Sequence, residues 1–238
     1  MQQSDLFFSI IIPVHNEERY IKANLLSIIS LDYPVDKYET IIVENASNDR
    51  TYEMAKSFEK GNIIVIDSAK KGVSIAKNTG IEKMNKNSDW TIFLDCDTVL
   101  EKNFLKRLNE FMIENKHRNY AVGTTEVQPL PRSFKANLWF AFYNFGHRLT
   151  KTSYAIQIIK TSLLQHISFD ENLSMGEDLK LIRDARRYGR FFYFPTKDIS
   201  TSTRRFEHYG WFNLFFIWMF VAMLPRKLQR RFVYKVIR

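Results

Sequence analysis

Four short β-rich apolar runs, at residues 7–14, 39–44, 62–67 and 89–95, alternate with polar or amphipathic sequence of helical spacing. Runs of this kind, separated by helix-length segments, are buried as parallel strands covered by helices, so the pattern predicts an α/β fold. Residues 17–30 bring Tyr20, Leu25, Ile28 and Ile29 to roughly helical spacing, with Asn16 as the expected cap and Asp32-Tyr33-Pro34 as the stop. A further helix is expected after Ser47 and Asn48. Residues 103–115 align Phe104, Leu105, Leu108, Phe111 and Met112 on one face.

The endings of the four runs are polar, and in an open parallel sheet ligands collect in the crevice outside the strands' carboxyl ends. His15-Asn16-Glu17 follows the first run, Glu44-Asn45-Ala46-Ser47 the second, Lys70-Lys71-Gly72 the third and Asp95-Cys96-Asp97 the fourth. Two acids closing an apolar strand are costly in a core unless they face a cation, which brings a divalent metal into view; the plain alternative is an acidic turn. Together the endings offer that acidic pair, lysines, a glycine that allows close backbone approach, and a carboxylate able to accept from a base N–H. A nucleoside diphosphate matches this set. No P-loop string and no dinucleotide fingerprint occurs, which weakens the ATPase and dinucleotide-enzyme readings.

A hydrophobic content of 45%, with 15% aromatic residues, excludes a disordered polypeptide, and 238 residues can bury one sizeable core with an appendage. Lysine and arginine number 35 against 26 acids, and the resulting +9 favours an anionic partner. Cys96 is the only cysteine, so no internal disulfide and no thiolate zinc site formed by this chain alone is expected. The opening residues are polar and the first apolar run leads into His15-Asn16-Glu17-Glu18 rather than a small-residue cleavage site, so no secretory signal is expected. In the second half, Met175-Gly176-Glu177-Asp178 opens an expected helix over 179–188, where first-turn acids also suit the helix dipole.

Taken in order, these motifs resemble family 2 glycosyltransferases. The run from Ser9 through Pro13, Val14, His15, Asn16, Glu17 and Glu18 looks like that family's opening strand and nucleotide loop, and Ile42 to Thr51 like its acidic second-strand motif. Gly72-Val73-Ser74-Ile75-Ala76-Lys77-Asn78-Thr79-Gly80 resembles the glycine to Ala-Arg-Asn segment. Asp95-Cys96-Asp97 stands where the family keeps Asp-x-Asp, and Gly176-Glu177-Asp178 where it keeps its Glu-Asp pair. The resemblance covers roughly residues 7–210. It departs at Glu44-Asn45, where two aspartates are usual, and at Lys77, where arginine is commoner and its bidentate fork is lost.

The resemblance implies a GT-A fold, a mostly parallel Rossmann-like sheet flanked by helices. It also implies inverting transfer from a nucleotide-diphosphate sugar, with a UDP-sugar favoured, to a hydroxyl of a glycan or lipid-linked acceptor. Asp97 is the implied chief ligand of Mg2+ or Mn2+, with Asp95 beside it and His208 as a possible third. Asp178 is the implied general base, with Glu177 orienting the acceptor or the base. Pro13, Val14, His15, Glu17, Glu44, Lys71, Gly72, Lys77, Asp95 and Arg205 form the implied donor site, and Arg204 is a further candidate for holding diphosphate. A nucleotidyltransferase is the second reading, and a non-catalytic basic module binding nucleic acid or membrane the third; no nucleic-acid motif accompanies the charge, so no nucleic acid is expected as partner.

The domain expected over 1–210 is followed, over 211–238, by an apolar then basic segment. Trp211 to Leu224 is uncharged, and as a helix it measures about 20 Å against a hydrocarbon thickness of about 30 Å. Followed by Arg226, Lys227, Arg230, Arg231, Lys235 and Arg238, it reads as a helix lying in the interface of an anionic leaflet on the cytoplasmic side, or else as a packed closing helix or a dimer contact. A second aromatic tract, from Phe134 to Phe145, has core-like helical spacing. If both tracts reach one surface, the patch would suit a lipid carrying the acceptor.

Overall fold

The computed structural model describes residues 5–68, 70–173 and 176–223. Strands and helices alternate through the first half: β1 (Phe8–Val14), α1 (Ile21–Ile29), β2 (Tyr38–Asn45), α2 (Thr51–Lys56), β3 (Ile63–Ser68), α3 (Val73–Lys83) and β4 (Trp90–Leu94). The second half runs β5 (Thr98–Leu100), α4 (Phe104–Glu114), β6 (Tyr120–Thr125), β7 (Gln128–Leu130), α5 (Phe134–Thr150), β8 (Ile156–Lys160), α6 (Glu177–Ala185), β9 (Arg190–Phe194), β10 (Ile199–Ser202), α7 (Arg204–Tyr209) and α8 (Trp211–Met223).

Seven strands form the main sheet in the order β3-β2-β1-β4-β8-β6-β9. The four strands expected from the sequence are mutually parallel, β8 runs antiparallel to both β4 and β6, and β9 is parallel to β6. Register brings the polar endings level, with Val14 opposite Glu44 and Glu44 opposite Asp67. A second, three-stranded sheet, β5-β10-β7, stands beyond the end of β4.

The pleat divides the core in two. Ile10, Ile12 and Val14 face one cluster, with Leu25 and Ile28 of α1 and Leu105 and Leu108 of α4, whereas Ile11 faces the other with Ala76 of α3 and Leu181 of α6. Helix α3 lies so close to β1 that a Cβ at Gly80 would stand 2.4 Å from Ile11 Cγ2, which only glycine avoids. Cys96 is buried in the first cluster as a packing residue.

Some local expectations are corrected. Asn16 does not cap α1, which begins at Ile21. At φ 53° it turns toward the loop after β2, its Oδ1 accepting from Asn48 N at 2.8 Å and its own N–H donating to Ser47 Oγ at 2.9 Å. Loop-to-loop pairing outcompetes capping there. Ile29 is exposed rather than part of the core stripe. Helix α6 starts at Glu177, two residues early, after Gly176 in the left-handed region at φ 80°.

The tract 134–145 falls within α5, capped by Ser133 Oγ accepting from Ala136 N at 3.1 Å. Phe140 and Tyr143 face the core, but Phe134, Leu138, Phe142, Phe145 and Leu149 form an exposed stripe. Helix α8 packs beside it: Trp139 meets Trp211 and Phe212 edge-on at 6.2 and 4.8 Å, and Phe142 meets Phe215 at 5.5 Å. Leu214 is fully buried in the main core, while Phe212, Phe216 and Phe220 are exposed. The two aromatic tracts therefore share one surface. Among the described residues no helix is long and apolar enough to cross a membrane. The basic positions expected at 226–238 lie outside the described residues.

Candidate active site

The loops at the carboxyl ends of β1, β2 and β3 are tied together by side chains. Glu44 is buried and its Oε1 accepts from Ser47 N at 2.6 Å, so it shapes its own turn as well as facing the strand ends. Asn45 Oδ1 accepts from Gly72 N at 2.6 Å and its amide donates to Lys70 O, which fixes the approach to α3. Lys71 stays exposed on that loop and Gly72 opens α3 at φ 149°. Pro13 closes β1 with Val14 and is followed by a half-buried His15. Val14 is corrected in part: its side chain belongs to the core, so any ligand contact it makes is through its backbone.

Lys77, expected on the donor side, is engaged by the acids of α6. Its Nζ stands 2.5 Å from Asp178 Oδ1 and 3.3 Å from Glu177 Oε1, over the Phe169 ring at 4.8 Å. Burial pulls the ammonium down, but Asp178, Glu177 and Asp95 outweigh it and hold its pKa above the usual lysine value. Burial and the adjacent Asp178 push Glu177 above the usual carboxylate range, against the pull of Lys77. The segment before α6 is pinned to α3 as well. Asn78 Nδ2 donates to Phe169 O at 3.0 Å and to Glu171 Oε1 at 2.9 Å, and its Oδ1 accepts from Phe169 N at 3.0 Å.

Asp95, half-buried at the end of β4, is linked electrostatically to both acid pairs. Burial pushes its carboxyl up to about 7; Arg205 and Lys77 oppose that shift while Asp97 and Asp178 add to it. One group thus feels both candidate acid pairs. Asp97 is 8% exposed, with Oδ1 3.4 Å from the Thr201 hydroxyl that donates to it and Oδ2 3.0 Å from Arg204 Nε. Arg204 also forks on Glu17, donating from Nη1 to Oε2 and from Nη2 to Oε1, both at 2.7 Å, and its guanidinium lies 4.3 Å from the centre of the Tyr20 ring. Burial raises Glu17 above the usual carboxylate range despite this fork. A cavity of about 260 Å³ borders Asp97 and Arg204, with Tyr20, Leu130, Pro131 and Glu207 among its walls.

Sequence reasoning gave no place to Thr201 or Phe169 and put Asn78 only in a family motif and Tyr20 only in a helical pattern. Their partners carry no local signal, because each acts across 90 residues or more or through a ring face.

The acidic pair suits a hard divalent ion. Asp95 and Asp97 are oxygen donors one residue apart in a partly dry site where their charges repel, and Mg2+ or Mn2+ is commonly held by one or two carboxylates with phosphate and water completing the shell. No group of three His, Cys, Asp or Glu able to hold a metal forms among the described residues. His208 is exposed on α7, its ring edge-on to Tyr209 at 5.1 Å, outside any such group.

The sequence model described as Glycosyl transferase family 2 matches residues 9–172. The minor teichoic acid biosynthesis protein GgaA of Bacillus subtilis (strain 168) is 25% identical over 240 aligned positions, covering 87% of this chain and 50% of that protein. The chain thus spans about half the length of that curated relative. Among solved structures, S. aureus TarS 1–349 in complex with UDP-GlcNAc superposes with a TM-score of 0.69 at 19% identity, covering 94% of this chain and 69% of the other. The mannosyltransferase PcManGT from Pyrobaculum calidifontis, in complex with GDP-Man and Mn2+, gives 0.64 at 17%, covering 84% and 57%. These likenesses show the fold, the GT-A architecture of a mostly parallel sheet flanked by helices.

Proposed function

The chain belongs to glycosyltransferase family 2, and on that premise we propose that it transfers a sugar, with inversion, from a UDP-sugar to a hydroxyl of a glycan or lipid-linked acceptor. The observation that carries this reading is the contact of Lys77 with Asp178 at 2.5 Å, together with a half-buried Asp95 that lies within electrostatic reach of Lys77 and Asp178 as well as of Asp97. Donor and acceptor chemistry need one crevice, and Asp95 belongs to both halves of it. UDP-GlcNAc in the TarS complex and a teichoic acid role for GgaA support a UDP-sugar and a polymer acceptor.

In the proposed reaction the acceptor oxygen forms a bond to the anomeric carbon as that carbon's bond to the diphosphate oxygen breaks. The acceptor proton passes to the Asp178 carboxylate, and UDP leaves with the bonding pair. Lys77 fixes Asp178 Oδ1 while the side chain stays 24% exposed, so the carboxylate is both aimed and reachable. Glu177, held by the same ammonium, sets the electrostatics behind it. His15, Glu17, Glu44, Lys71 and Gly72 bound the nucleotide side, and Arg205 is the arginine set against Asp95. Asp97 and Asp95 would hold Mg2+ or Mn2+, which when bound neutralises charge developing on the leaving diphosphate.

The exposed face shared by α5 and α8 is the proposed contact with an anionic bilayer surface, on the cytoplasmic side. Eight large apolar side chains on two packed helices, followed in sequence by six basic residues between 226 and 238, support that occupant over a second protein.

The test is donor turnover. With a panel of nucleotide sugars and Mn2+ at a fixed low concentration, UDP is the expected product, and its release falls sharply in Asp97→Ala and Asp178→Asn. Pyrophosphate instead of UDP would favour nucleotidyl transfer, and turnover indifferent to both substitutions would remove the site.

A further inference from the structure

Arg204 stands in a place that a donor-site lysine or arginine would not need to occupy. Its side chain is 10% exposed, and its guanidinium is forked on Glu17 at 2.7 Å twice over, lies over the Tyr20 ring, and stands 3.0 Å from Asp97 Oδ2. The second oxygen of Asp97 is approached by the Thr201 hydroxyl at 3.4 Å. A cation is therefore already seated on the carboxylate read as the chief metal ligand. Its neighbour Arg205 also acts electrostatically on Asp95, the other acid of the Asp-Cys-Asp turn.

We propose that Arg204 is a positioning residue that sets the divalent-cation affinity of Asp97, by holding that carboxylate itself until donor and metal arrive together. A second cation on Asp97 is repelled by the guanidinium at short range in a site from which water is largely excluded, where charges are poorly screened. Arg204 cannot be shed to solvent without leaving Glu17 buried and unpaired, so the competition is built in rather than incidental. The consequence is ordered loading: the bare metal binds weakly, and the diphosphate, by supplying both ligand oxygens for the metal and an alternative anion for Arg204, makes it bind well. The inference rests on the reading of Asp97 as a metal ligand.

The experiment is Mn2+ binding to the donor-free chain of 238 residues, read from the loss of the free-ion EPR signal. Arg204→Gln is expected to bind Mn2+ at least about tenfold tighter than the unsubstituted protein, a gain that mere loosening of the fold does not produce. Arg204→Lys, which keeps the charge but loses the fork, is expected to fall between them, and Arg183→Gln on the exposed face of α6 is expected to change nothing. Unchanged or weaker binding in Arg204→Gln overturns the proposal, as does an equal gain in Arg183→Gln. Should the glutamine variant fail to fold by circular dichroism, Arg204→Lys decides alone, with an affinity at or below the unsubstituted value overturning it. If Asp97→Asn leaves Mn2+ binding intact, the metal reading of Asp97 fails; if binding needs Asp97 but ignores Arg204, this inference alone fails.

Discussion

Lys77 and Asp178, 101 positions apart, meet at 2.5 Å between ammonium and carboxylate, and Glu177 shares the same nitrogen at 3.3 Å. One buried cation therefore keeps a buried and a half-buried acid in place, and the start of α6 depends on it. Lys77→Met removes that cation without changing shape much. Breaking a buried pair by deleting one partner leaves charge uncompensated, so stability to urea at pH 8 is expected to fall by about 3 kcal/mol. At pH 5 the fall is expected to be smaller, because Glu177, already above the usual carboxylate range, takes up a proton more readily once its cation is gone. Equal losses at both pH values would show that Lys77 acts through packing.

Asp178→Asn keeps the size of the side chain and removes its ability to take a proton. If Asp178 is the general base, kcat for transfer falls by about 10²–10⁴ while the donor KM changes little, since the proton moves only in the transition state. Asp97→Ala is expected to act differently, raising the Mn2+ concentration needed for half-maximal rate. Steady-state kinetics at varied donor and varied Mn2+ separate the two.

His147 gives a pH signature unrelated to the site. It is half-buried near the end of α5, stacked on Tyr154 at 4.6 Å with Nδ1 2.7 Å from the Thr152 hydroxyl, and desolvation lowers its pKa to about 4. A histidine depressed in the folded state favours the unfolded chain once that chain is protonated. Stability is therefore full above about pH 6.5 and is lost as pH falls toward 4. Between pH 7.5 and 5 the unsubstituted protein is expected to lose about 1–2 kcal/mol more than His147→Gln, measured by urea midpoints. Parallel pH curves for the two would contradict this.

The strands and their order of polar endings were legible because each is a local apolar run with a turn behind it, and β1, β2, β3 and β4 fall within a residue or so of the expected bounds. The acid motifs were legible as a resemblance, since their order along the chain carries it. What could not be read was pairing at a distance. Nothing near Arg204 points to Glu17, 187 positions away, and nothing near Lys77 distinguishes a donor contact from a grip on Asp178. Asn16 carries the composition of a helix cap, but a better partner existed at Asn48, in a different loop. The α5 tract misled for another reason: a stripe at helical spacing has the same period whether it faces a core or solvent, and here Phe140 faces in while Phe134, Leu138 and Phe142 face out.

That outward stripe yields the remaining prediction. Phe142 and Phe216 are 49% and 57% exposed on α5 and α8, so a charge at either position costs the fold little. On a bilayer the same change is expensive, because each side chain is proposed to insert at the headgroup boundary and a carboxylate there is both desolvated and repelled by anionic lipid. Phe142→Glu with Phe216→Glu is therefore expected to leave the melting temperature within a few degrees while lowering flotation with phosphatidylglycerol-containing vesicles by tenfold or more. Neutral vesicles are expected to bind less than anionic ones before any substitution. Retained flotation in the double variant would place the membrane contact elsewhere, and a dimer-to-monomer shift on substitution would instead identify the face as a contact between copies of the chain.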